Sequence, residues 1–463
     1  MSADRFDVVV IGGGPGGYAT ALRAAGHGLR IAVVEAGLVG GTCLHRGCIP
    51  SKALLHVAAL ADAAPELVAL GLADTHGAKL DVDAAGAIRD RVVHQLHSGL
   101  LGLLGTRSIE VVAGRGRIAV PGVVDVEGRE GPRRLLASEI VVATGSVPID
   151  LHVAPRDGQR ILCSDDALRF ERVPTSAVVV GAGAVGVEFA SLWRSLGAEV
   201  TILESAADVV PNEDADISKA LRRAFSKRGM KVLVETGLAG AVATDDGVRV
   251  ETTDGTVLDV DQVLVAVGRR PATAGVGLDE LGLLGPRGEV LADERGATAV
   301  TGVWAVGDVL PTLALAHAAF AEGFVVADSI AGLPAEPVDH RLVPRVTYCS
   351  PEVASVGLTE AEARAVHGDS VETTTASLAG NARSIIEGIG GFVKLVHAAD
   401  GTLLGGHIVG PAATELIAEL GLAITWEALT GELAGIVHAH PSLSETVREA
   451  ALAAAGAPFH LHA

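Results

Sequence analysis

Two closely spaced cysteines suggest the first chemistry in this sequence. Cys43 and Cys48 stand in the segment GGTCLHRGCIPSK, residues 40–52. On one ideal helix they would lie roughly 7.5 Å apart along the axis and on different faces, whereas a disulfide needs Cα atoms within about 7 Å. We therefore expect a bend at Gly47 and a helix that starts at Cys48 with Pro50 in its first turn. A thiolate at such a helix N-terminus has a lowered pKa, which suits redox chemistry.

The two remaining cysteines narrow the interpretation of this pair. Cys163 and Cys349 are isolated in the sequence, so the four cysteines form neither a secretory disulfide framework nor a recognisable set of zinc ligands. We predict that both are small core residues. For the close pair we favour a redox-active disulfide over two buried free thiols or half of a zinc site, and we predict no metal site.

A histidine near the end of the sequence could act as a base toward thiols. The segment HAHPSLSE places His440 before a proline and Glu445 five residues later. An imidazole with an ordinary pKa of about 6.5 moves a thiol proton at neutral pH, and a carboxylate fixes its tautomer. Such a histidine is by itself more often a surface or capping residue, but beside a cysteine pair the catalytic interpretation is favoured. We expect His438 to serve the loop, and His397 and His407 to be ordinary sheet or surface residues.

Two glycine-rich segments repeat one layout. Residues 6–17 read FDVVVIGGGPGG and residues 177–188 read AVVVGAGAVGVE, each an apolar run that turns into glycines before a helix-compatible segment. A second apolar strand then ends in an acid, Glu35 in the first copy and Glu204 in the second. In both copies the acid stands 18 residues after the last glycine.

This layout predicts two dinucleotide sites. In a GxGxxG turn the first glycine permits the tight turn, the second lets the backbone approach a pyrophosphate, and the third allows close packing of helix on strand. The acid binds ribose hydroxyls. One such motif could be a glycine turn without ligand, but two in register make that alternative remote. Glu204 would repel the extra phosphate of NADP, and the following SAAD has no arginine, so we expect NAD(H) there. The residues assigned are Gly12, Gly14, Gly17 and Glu35, and then Gly181, Gly183, Gly186 and Glu204.

Composition excludes several classes of protein. The chain has 463 residues, of which 49% are hydrophobic, and a formal charge of -20. Its length predicts about three domains, each large enough to bury its own core. A mean hydropathy of +0.41 excludes disorder, yet no apolar run approaches the roughly 20 residues of a membrane span. Early charged residues exclude a signal-peptide core, so we expect a soluble, cytoplasmic protein. The acidic balance argues against nucleic acid.

The motifs together predict an α/β fold with two Rossmann-like dinucleotide-binding domains and a C-terminal α+β interface domain. We place the first nucleotide domain at residues 1–148, the second at 149–272, a central segment that returns to the first at 273–340, and the interface domain at 341–463. Within the last domain the sequence predicts strands at Val343–Thr347, Gly391–Val396 and Leu404–Val409.

Over essentially its whole length the chain resembles the flavoprotein disulfide reductases, which are pyridine nucleotide-disulfide oxidoreductases. The cysteine and C-terminal histidine signatures are the most specific part of this resemblance. In chain order the matching segments are VVVIGGGPGG, GGTCLHRGCIPSKALL, VVATGS, VVVGAGAVGVEFAS, VAVGRRP, VWAVGDV with LAHAA, PEVASVGLTEAEA and HAHPSLSE.

The resemblance implies roles for individual residues. Cys43 would exchange with the substrate, Cys48 would contact the flavin, and Lys52 would lie beside the flavin and pair with Glu188. His440, with Glu445, would enter the active site of the partner subunit, so that catalysis needs a homodimer. The cofactors implied are FAD and NAD, and the further residues predicted to bind them are Thr42, Gly114, Thr144, Gly145, Ser146, Gly268, Asp308, Ala314, Leu315, Ala316 and His317.

The implied reaction oxidises dihydrolipoamide, carried on the acyltransferase or carrier protein of a 2-oxo acid dehydrogenase or glycine cleavage complex, with NAD as final acceptor. A reductase of another small disulfide, such as glutathione or mycothiol disulfide, is the nearest alternative, and Glu204 weakens it. A docking subunit with vestigial activity is a second alternative, disfavoured because both close cysteines and His440 are present. Where many relatives have an asparagine, two residues after the first cysteine, this chain has His45, followed by Arg46. A second titratable group there could perturb the pKa of the disulfide thiols or face solvent, and we favour the solvent-facing alternative.

Overall fold

The computed structural model describes residues 4–72, 81–129, 131–169 and 171–460. Its helices are α1 (Pro15–Gly26), α2 (Gly41–Arg46), α3 (Cys48–Ala69), α4 (Val82–Thr106), α5 (Ser164–Ala167), α6 (Ala184–Ser195), α7 (Ala215–Lys227), α8 (Ala316–Ile330), α9 (Glu360–His367), α10 (Ala382–Glu387), α11 (Ala413–Thr425), α12 (Thr430–Ala434) and α13 (Glu445–Ala454). None of the helices in these ranges combines the length and the apolar character that a membrane crossing requires.

The strands complete an α/β chain. They are β1 (Asp4–Ile11), β2 (Ile31–Glu35), β3 (Glu110–Ala113), β4 (Arg115–Val120), β5 (Val123–Gly128), β6 (Gly131–Val142), β7 (Ser146–Pro148), β8 (Ile161–Leu162), β9 (Ser176–Val180), β10 (Glu199–Leu203), β11 (Lys231–Leu233), β12 (Leu238–Ala243), β13 (Val248–Thr252), β14 (Val257–Val260), β15 (Gln262–Val265), β16 (Arg269–Pro271), β17 (Val303–Ala305), β18 (Arg345–Thr347), β19 (Glu352–Gly357), β20 (Val371–Ser377), β21 (Phe392–Ala398) and β22 (Leu403–Gly410).

These elements divide into two compact units. The first comprises Met1–Leu54, Asp81–Ile149 and Gly268–His340, so it joins the segment predicted to return to the first nucleotide domain with that domain apart from Leu55–Leu80. The second comprises Leu55–Leu80, Asp150–Val267 and Arg341–Ala463.

The first unit is built on a mostly parallel sheet. Its strand order is β3-β2-β1-β6-β5-β4, with β17 paired to β6. Strands β3, β2, β1, β6 and β17 run parallel, whereas β5 and β4 continue the sheet in antiparallel fashion. Because the carboxyl ends of parallel strands meet at one edge, the loops that follow these five strands lie at the same edge of the sheet.

The central strand of this sheet is buried on both faces. Val8 and Val10 of β1 pack into one core cluster with Ala21 and other side chains of α1. Val9 points to the opposite face, into a second cluster that extends to the antiparallel strands. A continuous run of β-branched residues therefore forms the strand, as a doubly covered parallel sheet requires.

The second unit contains a parallel sheet of its own, with strand order β11-β10-β9-β15-β8. Here the strand–helix–strand order of β1, α1 and β2 is repeated by β9, α6 and β10, and both helices have 12 residues. The predicted internal repeat is therefore confirmed. An antiparallel sheet of β12, β13 and β14 follows within this unit.

An antiparallel sheet of order β18-β19-β22-β21-β20 forms the C-terminal part of the second unit. Its core includes Ala354 and Ile408 from the sheet, Leu420 from α11 and Val447 from α13. The three strands predicted in this region are confirmed as β18, β21 and β22, with ends that differ from the prediction by at most two residues.

Candidate active site

The first glycine turn has the backbone geometry that its motif predicts. Gly12 has φ +107°, and a Cβ there would stand 2.2 Å from the Ala143 carbonyl oxygen. A Cβ at Gly17 would stand 1.9 Å from the carbonyl oxygen of Gly12, so a larger residue cannot be accommodated without a shift. At Gly14, which caps α1, a Cβ would have no neighbour within 4 Å. This glycine therefore faces open space, as approach to a pyrophosphate requires.

Glu35 is held against the turn by its own carboxylate. One oxygen accepts the N–H of Gly13 at 2.7 Å and the other accepts the N–H of Gly37 at 2.7 Å. Its carbonyl accepts the N–H of Gly114, which follows β3, at 2.9 Å. The acid, the glycine turn and Gly114 are thus brought together at the carboxyl edge of the first sheet.

The second turn repeats this geometry in the second unit. A Cβ at Gly181 would stand 2.6 Å from Ala266 O, one at Gly186 would stand 1.9 Å from Gly181 O, and one at Gly183 would have no neighbour within 4 Å. Glu204 accepts the N–H of Ala182 at 2.7 Å and that of Ala206 at 2.8 Å. In both turns the acid therefore accepts the N–H of the residue 22 positions before it and that of the residue two positions after it.

Loops that follow β6 and β17 bring further predicted residues to the edge of the first sheet. The Ser146 hydroxyl donates to Asp308 Oδ2 at 2.6 Å. Arg269, which the sequence analysis did not single out, donates from Nε to Ser146 Oγ and from Nη2 to Ser146 O, both at 2.7 Å. Its only sequence signal was its place in the VAVGRRP segment.

The remaining predicted cofactor residues of the first unit lie in turns and at a helix start. Gly145 has φ +70°, the Gly268 carbonyl accepts the N–H of Ile149, and α8 begins at Ala316 with Leu315 as its cap. Ala314 and His317 flank that helix start, and Thr42 lies in the first turn of α2.

The edge of the first sheet fits a bound dinucleotide. The Thr144 hydroxyl is buried and has no hydrogen-bond partner among the described residues. The open space at Gly14 gives a cofactor access to the backbone. The Thr144 hydroxyl and the N–H groups at the N-terminus of α1 are hydrogen-bond donors for its phosphates and hydroxyls.

The bend expected between the close cysteines is present. Helix α2 ends at Arg46, Gly47 is non-helical with φ −150° and ψ −116°, and α3 starts at Cys48. A Cβ at Gly47 would stand 3.0 Å from the Thr42 carbonyl oxygen, so the bend is also tightly packed. The two cysteines are brought into contact across this bend, where the Cys43 side chain hydrogen-bonds to that of Cys48.

The environment of these thiols is half-buried and charged. The hydrogen bond to Cys48, followed by burial, raises the pKa of Cys43, while the positive charge of Lys52 acts in the opposite direction. The lowered pKa that the sequence predicts concerns Cys48, the thiol at the start of α3, and stays a prediction. Tyr18 of α1 also belongs to this environment: burial, and then the charges of Cys43 and Cys48, raise its pKa to about 12.

His45 is half-buried rather than solvent-facing as expected. Its Nε2 lies 2.9 Å from the Val39 carbonyl oxygen, and Nδ1 of His97, from α4, lies 3.0 Å from the same oxygen. The two rings meet edge to face with centroids 4.9 Å apart. Burial lowers the pKa of His45. No sequence signal pointed to His97, because it stands 58 residues from Val39.

The predicted base lies in the second unit. His440 Nδ1 is 2.9 Å from Glu445 Oε1, and Glu445 Oε2 accepts the N–H of Ser442 at 2.8 Å. Burial acts to raise the pKa of Glu445, but the hydrogen bonds from Ser442 and His440 outweigh it, so the pKa stays below its ordinary value. The carboxylate is therefore ionised at neutral pH and orients the imidazole, whose side chain is 74% exposed.

Glu188, the predicted partner of Lys52, is buried in the second unit and accepts the N–H of Tyr348 at 3.0 Å. Lys52 belongs to the first unit, and the pairing of the two stays a prediction.

The cysteines and histidines to which the sequence analysis gave no catalytic role lie in the core or in contacts within the second unit. Cys163 and Cys349 are both buried, as predicted. His438 Nε2 lies 2.7 Å from Glu419 Oε1, which agrees with a role in the loop. His397 and His407 lie in sheet strands as predicted, but both are almost completely buried.

The chain belongs to the pyridine nucleotide-disulphide oxidoreductase family. The model of that family matches residues 6–323, and the model of its dimerisation domain matches residues 343–451. The fold and the paired glycine turns agree with this class.

Individual relatives resemble the chain over its whole length. A dihydrolipoyl dehydrogenase of Bacillus subtilis is 38% identical across 99% of this chain and 100% of that protein. One of Chlorobaculum tepidum is 41% identical across 97% of each. The crystal structure of LpdA from Mycobacterium tuberculosis superposes with a TM-score of 0.90 and 30% identity, over 97% of this chain and 99% of that one.

Proposed function

We propose that this protein is a dihydrolipoyl dehydrogenase, which oxidises protein-bound dihydrolipoamide to lipoamide and reduces NAD+ by way of FAD. The observation that carries the proposal is the contact between the Cys43 and Cys48 side chains, of which Cys43 lies on helix α2, and the residue before that helix, Gly40, donates its N–H to Gly13 of the first dinucleotide turn at 2.7 Å. The full-length relatives of that name support it.

The thiol step starts from the disulfide form of the pair. A substrate thiolate attacks the Cys43 sulfur, the Cys43–Cys48 bond breaks, and the electron pair leaves on Cys48 as a thiolate. The second substrate thiol then attacks its own mixed disulfide, which releases lipoamide and leaves Cys43 as a thiolate. The positive charge of Lys52, which acts on Cys43, stabilises the anion.

His440 supplies the base for this exchange. Glu445 accepts a hydrogen bond from Nδ1, so Nε2 is left to take the proton of a substrate thiol. The imidazolium that results is stabilised by the same carboxylate. We propose that this histidine acts on the cysteines of a partner subunit, for which its exposure is the support.

The cofactors are held by the two glycine turns. Gly12, Gly14, Gly17 and Glu35 would bind FAD together with Thr144, Ser146 and Asp308, and the turn with Gly181, Gly183, Gly186 and Glu204 would bind NAD. When bound, FAD supplies a two-electron acceptor for the thiol pair, and NAD is the final acceptor.

We also propose that the active protein is a homodimer, which the match to a dimerisation domain supports. The lipoyl-bearing partner would be the acyltransferase or carrier protein of a multienzyme complex. The four domain segments given above and a cytoplasmic location belong to the same proposal, and the low cysteine count supports the latter.

Steady-state assays with two nucleotides and three disulfides test the function. We expect NADH with lipoamide to turn over at least about a hundredfold faster than NADPH with lipoamide, or than NADH with glutathione or mycothiol disulfide. If the enzyme turned over another disulfide faster than lipoamide, that disulfide would replace lipoamide as the proposed substrate. Absence of turnover with every disulfide would favour a docking subunit.

The substitution Cys48→Ser tests the thiol step. We expect loss of lipoamide turnover with FAD still bound, because the cofactor contacts assigned above do not depend on this sulfur. Flavin absorbance and the rate of NADH-dependent lipoamide reduction are the measurements. Cys163→Ala, at an isolated buried cysteine, is the matched control and should retain turnover; loss of FAD in Cys48→Ser would contradict the assignment.

A further inference from the structure

One asparagine connects a distant segment to the loop of the predicted base. Asn381, which precedes α10, donates from Nδ2 to the Ser442 carbonyl oxygen at 2.8 Å, although 61 residues separate them. Its Oδ1 accepts the N–H of Ser384 at 3.0 Å and so caps α10. The side chain therefore has two separable tasks, one toward its own helix and one toward the loop.

Both backbone polar groups of Ser442 are hydrogen-bonded to side chains. Its carbonyl accepts from Asn381, while its N–H donates to Glu445 Oε2 at 2.8 Å. The other oxygen of Glu445 orients His440 Nδ1 at 2.9 Å. A continuous path of three hydrogen bonds therefore runs from Asn381 through Ser442 and Glu445 to the imidazole.

The imidazole needs such support because its own subunit leaves it exposed. Within the single chain its side chain is 74% accessible, so packing in its own subunit does little to fix the rotamer that it presents to a partner subunit. A base that must meet a substrate thiol within hydrogen-bond reach loses rate when its orientation varies, even when the group itself is retained.

We propose that Asn381 is a positioning residue for His440, and that it acts by fixing the Ser442 carbonyl with its amide donor. This inference rests on the proposed function, since it takes His440 as the base for dihydrolipoamide. It adds a residue outside the catalytic segment HAHPSLSE to the machinery of the thiol step.

Two substitutions separate the loop task from the helix cap. In Asn381→Asp the side chain still caps α10 but no longer donates, and in Asn381→Ser a neutral cap remains that is too short to reach Ser442. We expect both to lower kcat for dihydrolipoamide about tenfold, with KM within about twofold of the parent. NADH-dependent ferricyanide reduction by the same holoenzymes should be unchanged, because it needs no thiol proton transfer. Ser377→Ala, which removes the cap that Ser377 provides for Ala379 in the same segment, is the control and should match the parent in both assays.

A double-mutant cycle with His440→Gln gives a readout that a general loss of stability would not. If Asn381 acts through His440, adding Asn381→Ser to His440→Gln should cost no further rate. Independent, multiplying losses would overturn the proposal, as would equal losses in both assays or parental kcat in both Asn381 variants. If His440→Gln itself turns over dihydrolipoamide like the parent, it is the assignment of the base within the proposed function that fails.

Discussion

At the scale of single residues, two glycines of the proposed NAD turn are expected to be needed for different reasons. Gly186 lacks room for a side chain because a Cβ would stand 1.9 Å from a backbone oxygen of its own turn. Gly183 has room, and its φ of −69° suits any residue. A methyl group at Gly183 would instead occupy the open space in which we propose that the nucleotide approaches the backbone.

The pair Gly183→Ala and Gly186→Ala separates ligand binding from folding. We expect Gly183→Ala to raise KM for NADH about tenfold while it changes the free energy of unfolding by less than about 1 kcal/mol. Gly186→Ala should cost about 2 kcal/mol, because helix and strand must move apart. Ferricyanide kinetics and thermal unfolding measure the two effects; equal behaviour of the two variants would show that the turn does not work in this way.

At the scale of elements, β22 carries a titratable group into the core of the second unit. His407 is fully buried, with Nδ1 at 3.0 Å from Ser355 Oγ and Nε2 at 3.0 Å from the Leu358 carbonyl oxygen. Burial lowers its pKa from about 6.5 to about 4, against the charge of Asp214, which acts to raise it. The neutral imidazole is therefore a structural component of this sheet.

Stability should consequently fall on acidification. Between pH 6.5 and 4 the unfolded chain binds a proton at His407 and the folded chain does not, so the free energy of unfolding decreases by up to about 3 kcal/mol over this window. Above pH 6.5 this contribution is fully present. Urea unfolding of the parent and of His407→Gln across the window measures it, and parallel curves for the two proteins would refute the role of this histidine.

At the scale of the whole molecule, the proposed catalytic groups are divided between the two units. The cysteine pair lies in the first unit, and His440 with Glu445 lies in the second. An exposed base and a family dimerisation domain favour a site that two subunits complete.

Complementation tests this division of the site. Heterodimers of a Cys48→Ser subunit and a His440→Ala subunit, isolated through two different tags, should regain about half of the parental lipoamide turnover, because one of the two sites has an intact pair and an intact base. Each homodimer should be inactive. Inactive heterodimers would show that His440 serves the cysteines of its own chain.

Much of the site could be predicted because its determinants are local in sequence. The glycine turns are required by contacts within the turn itself, such as Gly17 against Gly12 O. The bend at Gly47 separates two cysteines only five residues apart. The order of apolar run, glycine turn, helix-compatible segment and second apolar run was likewise sufficient to predict the repeated strands and helices and the α/β class.

Other features depended on tertiary structure because their partners are remote along the chain. Arg269 reaches Ser146 across 123 residues, and His97 reaches Val39 across 58. Burial of His407 likewise follows from the packing of a complete sheet, which no short pattern encodes. The sequence by itself therefore determined the chemistry available, since backbone sterics and motif spacing act over a few residues. Only the tertiary structure decided which side chains support that chemistry, since hydrogen bonds between distant segments form where packing brings them together.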